Sequence, residues 1–198
     1  MRSREDELYY SPSCTFKKLK DMVDNNRSEI IKAFKERVEE LYLKPAELLI
    51  QRAKEEKENM GFLFSAGLIC VSVIDFLGRF YTGQNCVRNR FIEWILKYMN
   101  RSFNSEISDK FYEDFRNGLV HECRIKNGGE FSLEIDKPID VVQMEKYDYL
   151  VVNPEKLLEE IREAFENYIT DLDKRNKLYE QLKKIINSDF ESDFHKKR

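Results

Sequence analysis

Between Phe62 and Tyr81 the chain reads Phe-Leu-Phe-Ser-Ala-Gly-Leu-Ile-Cys-Val-Ser-Val-Ile-Asp-Phe-Leu-Gly-Arg-Phe-Tyr. This run approaches the roughly 20 apolar residues that span a bilayer. Asp75 and Arg79 lie inside it, however, and an ionisable group near the middle of a span is costly. The run therefore predicts a central core helix with no membrane contact. A helix that is apolar all round must be covered by other helices, so the feature implies a bundle.

The rest of the composition agrees with that frame. At 198 residues there is enough chain for one sizeable core, and we read residues 1–198 as one domain. Hydrophobic residues make up 41% and charged residues 36%, while only 7 glycines and 4 prolines interrupt the chain, which favours long helices. A formal net charge of -3 argues against a broadly basic surface that coats nucleic acid, although it leaves room for a small basic cleft. Cys14, Cys70, Cys86 and Cys123 lack the spacing of a zinc site, and the first residues are charged where a signal peptide would be apolar. The expected setting is cytoplasmic with reduced thiols, no metal and no cofactor.

Hydrophobic spacing predicts the elements in turn. Residues 1–15 and 188–198 read as flexible. Ile30, Ile31, Phe34, Val38 and Leu41 trace one amphipathic helix, and Pro45 fits the first turn of a second that runs to about Glu58. Asn59-Met60-Gly61 should separate that pair from the apolar helix. After a turn at Thr82–Asn85, a short helix from Arg88 to Met99 places Phe91, Ile92, Ile95, Leu96 and Met99 inward, with Trp94 as a packing residue. Another helix starts after Ser105 or Ser108, carries Phe111, Phe115 and Leu119, and ends near His121 or Glu122. Asn127-Gly128-Gly129 then predicts a β-hairpin, with Tyr147–Val152 as a third short strand in an insertion over 123–152. Asn153-Pro154 caps a long helix reaching about Ile186.

One stretch holds suitable groups for chemistry: Phe111-Tyr-Glu-Asp-Phe-Arg-Asn-Gly-Leu-Val-His-Glu-Cys123. His121 changes charge near neutral pH, Arg116 can grip a phosphate with two donors, and Asn117 can orient either. On a regular helix Arg116 lies about 140° round from His121. They would converge through Arg116's reach, a distortion at Gly118, or a second copy across a two-fold axis. The plainer alternative pairs Arg116 with Glu113 or Asp114 and leaves His121 as a helix cap or a partner of Glu122. Asp75 could orient His121 or Arg116, or else pair with Arg79 one turn on. Arg124 and Lys126 are secondary candidates for binding RNA. His195, in the polar tail, reads as idle.

The string Arg116-Asn117-Gly118-Leu119-Val120-His121 resembles the Arg-polar-x3-to-5-His signature of HEPN domains (higher eukaryotes and prokaryotes nucleotide-binding). Ser72–Gly83, Arg90-Phe91 and Tyr98 are similar to a branch of small prokaryotic proteins of that kind, and the resemblance spans about residues 62–135. It implies an all-α bundle of four to five main helices, with a small β-hairpin insertion after the motif helix, that forms a homodimer with two motif helices facing across a cleft. It further implies a metal-independent endoribonuclease in defence, stress or a toxin-antitoxin pair, with RNA and an antitoxin protein as partners. His121 would be the acid/base, Arg116 would stabilise charge on the phosphate, and Asn117 would position one of them. The alternative is an inactive member of the same fold that only binds RNA, a nucleotide or a protein.

Overall fold

The chain is seen in a computed structural model that describes residues 8–56 and 60–194. It is an all-α bundle with small β additions. The apolar run forms α4, Met60–Thr82, once α1 (Phe16–Met22), α2 (Arg27–Val38) and α3 (Lys44–Glu55) have been laid down. The predicted break at Asn59–Gly61 is shifted: Met60 and Gly61 are already helical, and Asn59 lies outside the described residues. α4 is long and apolar enough to cross a membrane, but half of its most apolar window is buried against the rest of the bundle.

Residues 27–55 are not two helices joined by a turn. A π-helical turn at Glu39–Leu43 carries the chain from α2 into α3 without leaving helical backbone angles, and the Lys44 amide donates back to the Glu39 carbonyl. Pro45 explains the device. It has no amide to give and its ring clashes with the carbonyl four residues earlier, and a widened turn accommodates both defects.

α5 (Val87–Tyr98) crosses α4 at very close range, since a Cβ on Gly78 would sit 2.4 Å from the Arg90 carbonyl oxygen. Phe91, Trp94 and Ile95 form its buried face, whereas Leu96, expected inside, is exposed. Trp94 lies fully buried against Tyr98, with ring centres 4.5 Å apart, and against Tyr168, at 5.0 Å.

α6 (Ser105–Phe111) is capped by Asn104, not by Ser105 or Ser108: Asn104 Oδ1 accepts from the Ile107 amide at 2.9 Å. A second π turn, Tyr112–Asn117, leads into α7 (Gly118–Glu122), which ends at Cys123 in the left-handed region.

The predicted hairpin around Asn127-Gly128 is absent from the described residues, although both residues take positive φ and turn the chain. The short strand β3 (Glu130–Phe131) runs parallel to β5 (Asp148–Val152), and β5 pairs antiparallel with β4 (Ile139–Gln143), giving the order β3-β5-β4. The turn's local signal is real, but its flanks pair elsewhere because Phe131 is drawn into the core beside Gly67 and Phe115. At the N-terminus Tyr9–Ser11 and Cys14–Thr15 form a small hairpin, β1 and β2, where a flexible segment was expected. Ser11 and Ser13 hydroxyls each donate to Glu36 on α2, and Arg37 donates to the Tyr10 carbonyl.

The C-terminal helix is broken in two, α8 (Pro154–Lys174) and α9 (Asn176–Phe194). Arg175 is extended at the junction, where Arg27 donates to the Leu172 carbonyl and to Asn176 Oδ1, satisfying groups the broken ladder would leave open. α9 then folds back, with Tyr179, Leu182, Ile185, Ile186 and Phe190 buried at helical spacing. Helix thus continues through 188–194, where a frayed tail was expected; residues 195–198, His195 included, lie outside those described.

Candidate functional site

The site sits where α4, α5 and the π turn at Tyr112–Asn117 meet. The π turn is the local cause. It widens the helix at Arg116 and Asn117, so the 100° step of a regular helix no longer applies there. The extended guanidinium closes the remaining gap. Arg116 Nη1 lies 2.9 Å from His121 Nε2 and also donates to Asn117 Oδ1 at 3.2 Å. A guanidinium has donors only, so as a hydrogen bond this contact requires Nε2 to accept, with the ring proton on Nδ1. Arg116, Asn117 and His121 therefore converge within one chain, and the geometric reason for invoking a second copy falls away.

Behind this trio stands Asp75, which of its two expected settings takes the one beside Arg116 and not the pair with Arg79. Arg116 Nη2 donates to Asp75 Oδ2 at 2.7 Å, and Arg90 Nε donates to Asp75 Oδ1 at 2.6 Å. Arg79 instead reaches α9, where its two terminal nitrogens hold the Asp189 carboxylate. Asp75 and Arg116 are each only 9% exposed, whereas His121 is exposed. A buried ionic set thus stands behind an exposed imidazole. The alternative pairs for Arg116 and His121 do not form: Glu113 accepts from Asn117 Nδ2 at 3.1 Å, Asp114 faces inward to Lys110 and Asn127, and Glu122 is held by Arg124 and Lys126.

Arg124 and Lys126 are consequently less available to a phosphate chain than their sequence positions imply, since both close on Glu122 at 2.6 and 2.7 Å. The same loop explains Gly118. Its backbone is regular helix, so it is no distortion. A Cβ there would meet the Arg124 carbonyl oxygen at 2.4 Å, and the Arg124 amide donates to the Gly118 carbonyl. Asp114 completes the anchorage by accepting from Asn127 Nδ2, while its carbonyl accepts from the Lys126 amide.

Three contributors were given no site role from the sequence, although Arg90 falls within the resemblance. Arg90 comes from another helix, yet it lies one turn before the buried Trp94, and a cation on a buried face was the signal that could have marked it. Tyr112, one turn before Arg116, lays its ring 5.7 Å from the guanidinium carbon; burial pushes its phenol up, with the Arg116 charge opposing. Glu113 holds the Asn117 amide and so fixes which way its oxygen faces. No group of three His, Cys, Asp or Glu side chains placed to hold a metal ion occurs among the described residues. No family model, curated protein or solved structure matches this chain.

Proposed function

We propose that the chain is a metal-independent endoribonuclease of the HEPN type, working in the cytoplasm in defence, stress or a toxin-antitoxin pair. The observation that carries this reading is the 2.9 Å approach of Arg116 Nη1 to His121 Nε2, with Asp75 gripping the other terminal nitrogen of the same guanidinium. It puts a phosphate-binding cation beside an exposed acid/base group.

The chemistry follows from those groups. An RNA phosphate entering at the surface takes the Arg116 Nη1 donors onto its non-bridging oxygens, which releases His121 Nε2 to accept the 2'-OH proton. The 2'-oxygen forms a bond to phosphorus, the bond to the 5'-oxygen breaks, and Arg116 offsets the charge that grows on the phosphoryl oxygens. The leaving 5'-oxygen takes a proton, and the product carries a 2',3'-cyclic phosphate. Asn117, held by Glu113, keeps Arg116 in register.

One imidazole accepts the first proton, and a second imidazole would donate the last one without waiting for the first to turn round. A homodimer that brings two α7 helices together across a two-fold axis supplies it. Exposed Val120 beside His121 suits such a contact. RNA is the substrate and an antitoxin protein a further partner in this reading. The competing function, an RNA-, nucleotide- or protein-binding scaffold without cleavage, draws on the same contact, because Arg116 occupies the very lone pair a base needs. Incubating the purified chain with single-stranded RNA in chelator separates the two. Cleavage that disappears in His121→Ala supports the nuclease, and intact RNA with the wild-type chain rejects it.

A further inference from the structure

Two arginines share one carboxylate in this site. Arg90 Nε and Nη2 both approach Asp75 Oδ1 at 2.6 Å, and Arg116 Nη2 holds Asp75 Oδ2 at 2.7 Å. Two positive charges thus meet one negative charge in a place where Asp75 and Arg116 are nine-tenths buried and the Arg90 side chain is only 15% exposed. Arg116 Nε is buried without a hydrogen-bond partner, and among the described residues Arg90 is held to Asp75 through Nε and Nη2 alone, which leaves the outer edge of its guanidinium open. Glu122 is neutralised by Arg124 and Lys126, and Glu113, one turn before Arg116, is turned to the Asn117 amide and touches neither arginine. Buried charge and buried donors both demand compensation. A tetrahedral oxyanion supplies it, because it carries the missing negative charge and accepts from guanidinium forks at several oxygens.

We propose that Arg90 and Arg116, spaced by Asp75, form a two-arginine subsite for a phosphoryl group, with Arg90 the member that lies outside the Arg116–His121 motif. Asp75 sets the separation of the two guanidiniums, and Gly78 sets the depth of Arg90 by letting α5 press against α4. This deepens the proposed nuclease reading by naming a phosphate ligand, but it stands on charge and donor count and so is tested apart from cleavage.

The experiment is titration of the isotope-labelled full chain with inorganic phosphate at fixed ionic strength, followed by the amide and arginine Nε resonances. Saturable shifts centred on residues 75, 90 and 116 are expected, at least tenfold weaker binding in Arg90→Gln, a smaller loss in Arg90→Lys, and no change in Arg101→Gln, whose partner Glu163 lies elsewhere on the surface. The wild-type spectrum alone decides if the Arg90 variants do not fold, because absence of shifts at these residues overturns the subsite. Equal binding by a folded Arg90→Gln overturns it too. Phosphate binding that needs Arg90 in a chain that cuts no RNA would leave the subsite standing while the nuclease reading fails; RNA cleavage with phosphate binding indifferent to Arg90 would do the reverse.

Discussion

Asp75 is the residue on which the others depend. It accepts from Arg90 and Arg116 together, and among the described residues neither is paired with a second carboxylate. Removing one member of a buried ionic set leaves uncompensated charge and costs about 3–5 kcal/mol. Asp75→Ala should therefore lower the unfolding free energy read from urea titration by that amount, and a loss under about 1 kcal/mol would mean the set is solvated. His121 behaves differently, being exposed: His121→Ala should leave stability within about 0.5 kcal/mol while removing acid/base catalysis. Arg116→Lys should keep the charge and lose cleavage, because one ammonium cannot meet Asp75, Asn117 and His121 in a plane. At this scale the sequence names Arg116, Asn117 and His121 through their chemistry alone. It cannot name Arg90 as the partner of Asp75, since that pairing depends on how two helices cross.

At the scale of elements, two close approaches and two π turns shape the site. A methyl group at Gly78 would collide with the Arg90 carbonyl, and one at Gly118 with the Arg124 carbonyl, both backbone atoms that cannot swing aside. Each change to Ala should cost about 1–3 kcal/mol, and Gly78→Ala should also weaken phosphate binding by displacing Arg90. Denaturant titration and phosphate titration of the same variant check both halves. The N-terminal hairpin gives a pH dependence. Hydroxyls of Ser11 and Ser13 hold the Glu36 carboxyl below the usual carboxylate range. A carboxyl with a depressed folded value adds stability above its unfolded value and loses it as pH falls through the folded one. Acid below about pH 4 should therefore loosen the hairpin, and Ser11→Ala with Ser13→Ala should flatten that response, as read by hydrogen exchange at Tyr9–Thr15. Helical periodicity made the helices legible, and Asn153-Pro154 marked its helix start correctly. The π turns were not legible, and the first one breaks the expected spacing: an extra residue rotates the following positions by about 100°, so Leu41, expected inside, is exposed and Leu43 is buried. The strand order was hidden for another reason: β3 pairs with β5 across about 20 residues, and only burial of Phe131 selects that partner.

The whole molecule wraps its shell around α4, so the apolar run that resembles a membrane span by length becomes the axis of the core. Thiol reactivity reports on that enclosure. Cys70 is buried on α4 and burial pushes its thiol up to about 12, whereas Cys86 and Cys123 are exposed. A maleimide should label Cys86 and Cys123 in the native chain, and Cys70 only after unfolding; native labelling of Cys70 would mean α4 is not enclosed. Solution mass at micromolar concentration tests the two-fold arrangement, for which a dimer is expected and a strict monomer would leave a single imidazole to serve both proton transfers. The central claim is tested most directly by the rate at which wild type and His121→Ala cut single-stranded RNA in chelator, with the ends of the fragments identified. The wild type should leave 2',3'-cyclic phosphate ends and the variant should cut roughly 10²–10⁴-fold more slowly; uncut RNA with the wild type, or equal cutting by both, would contradict the nuclease.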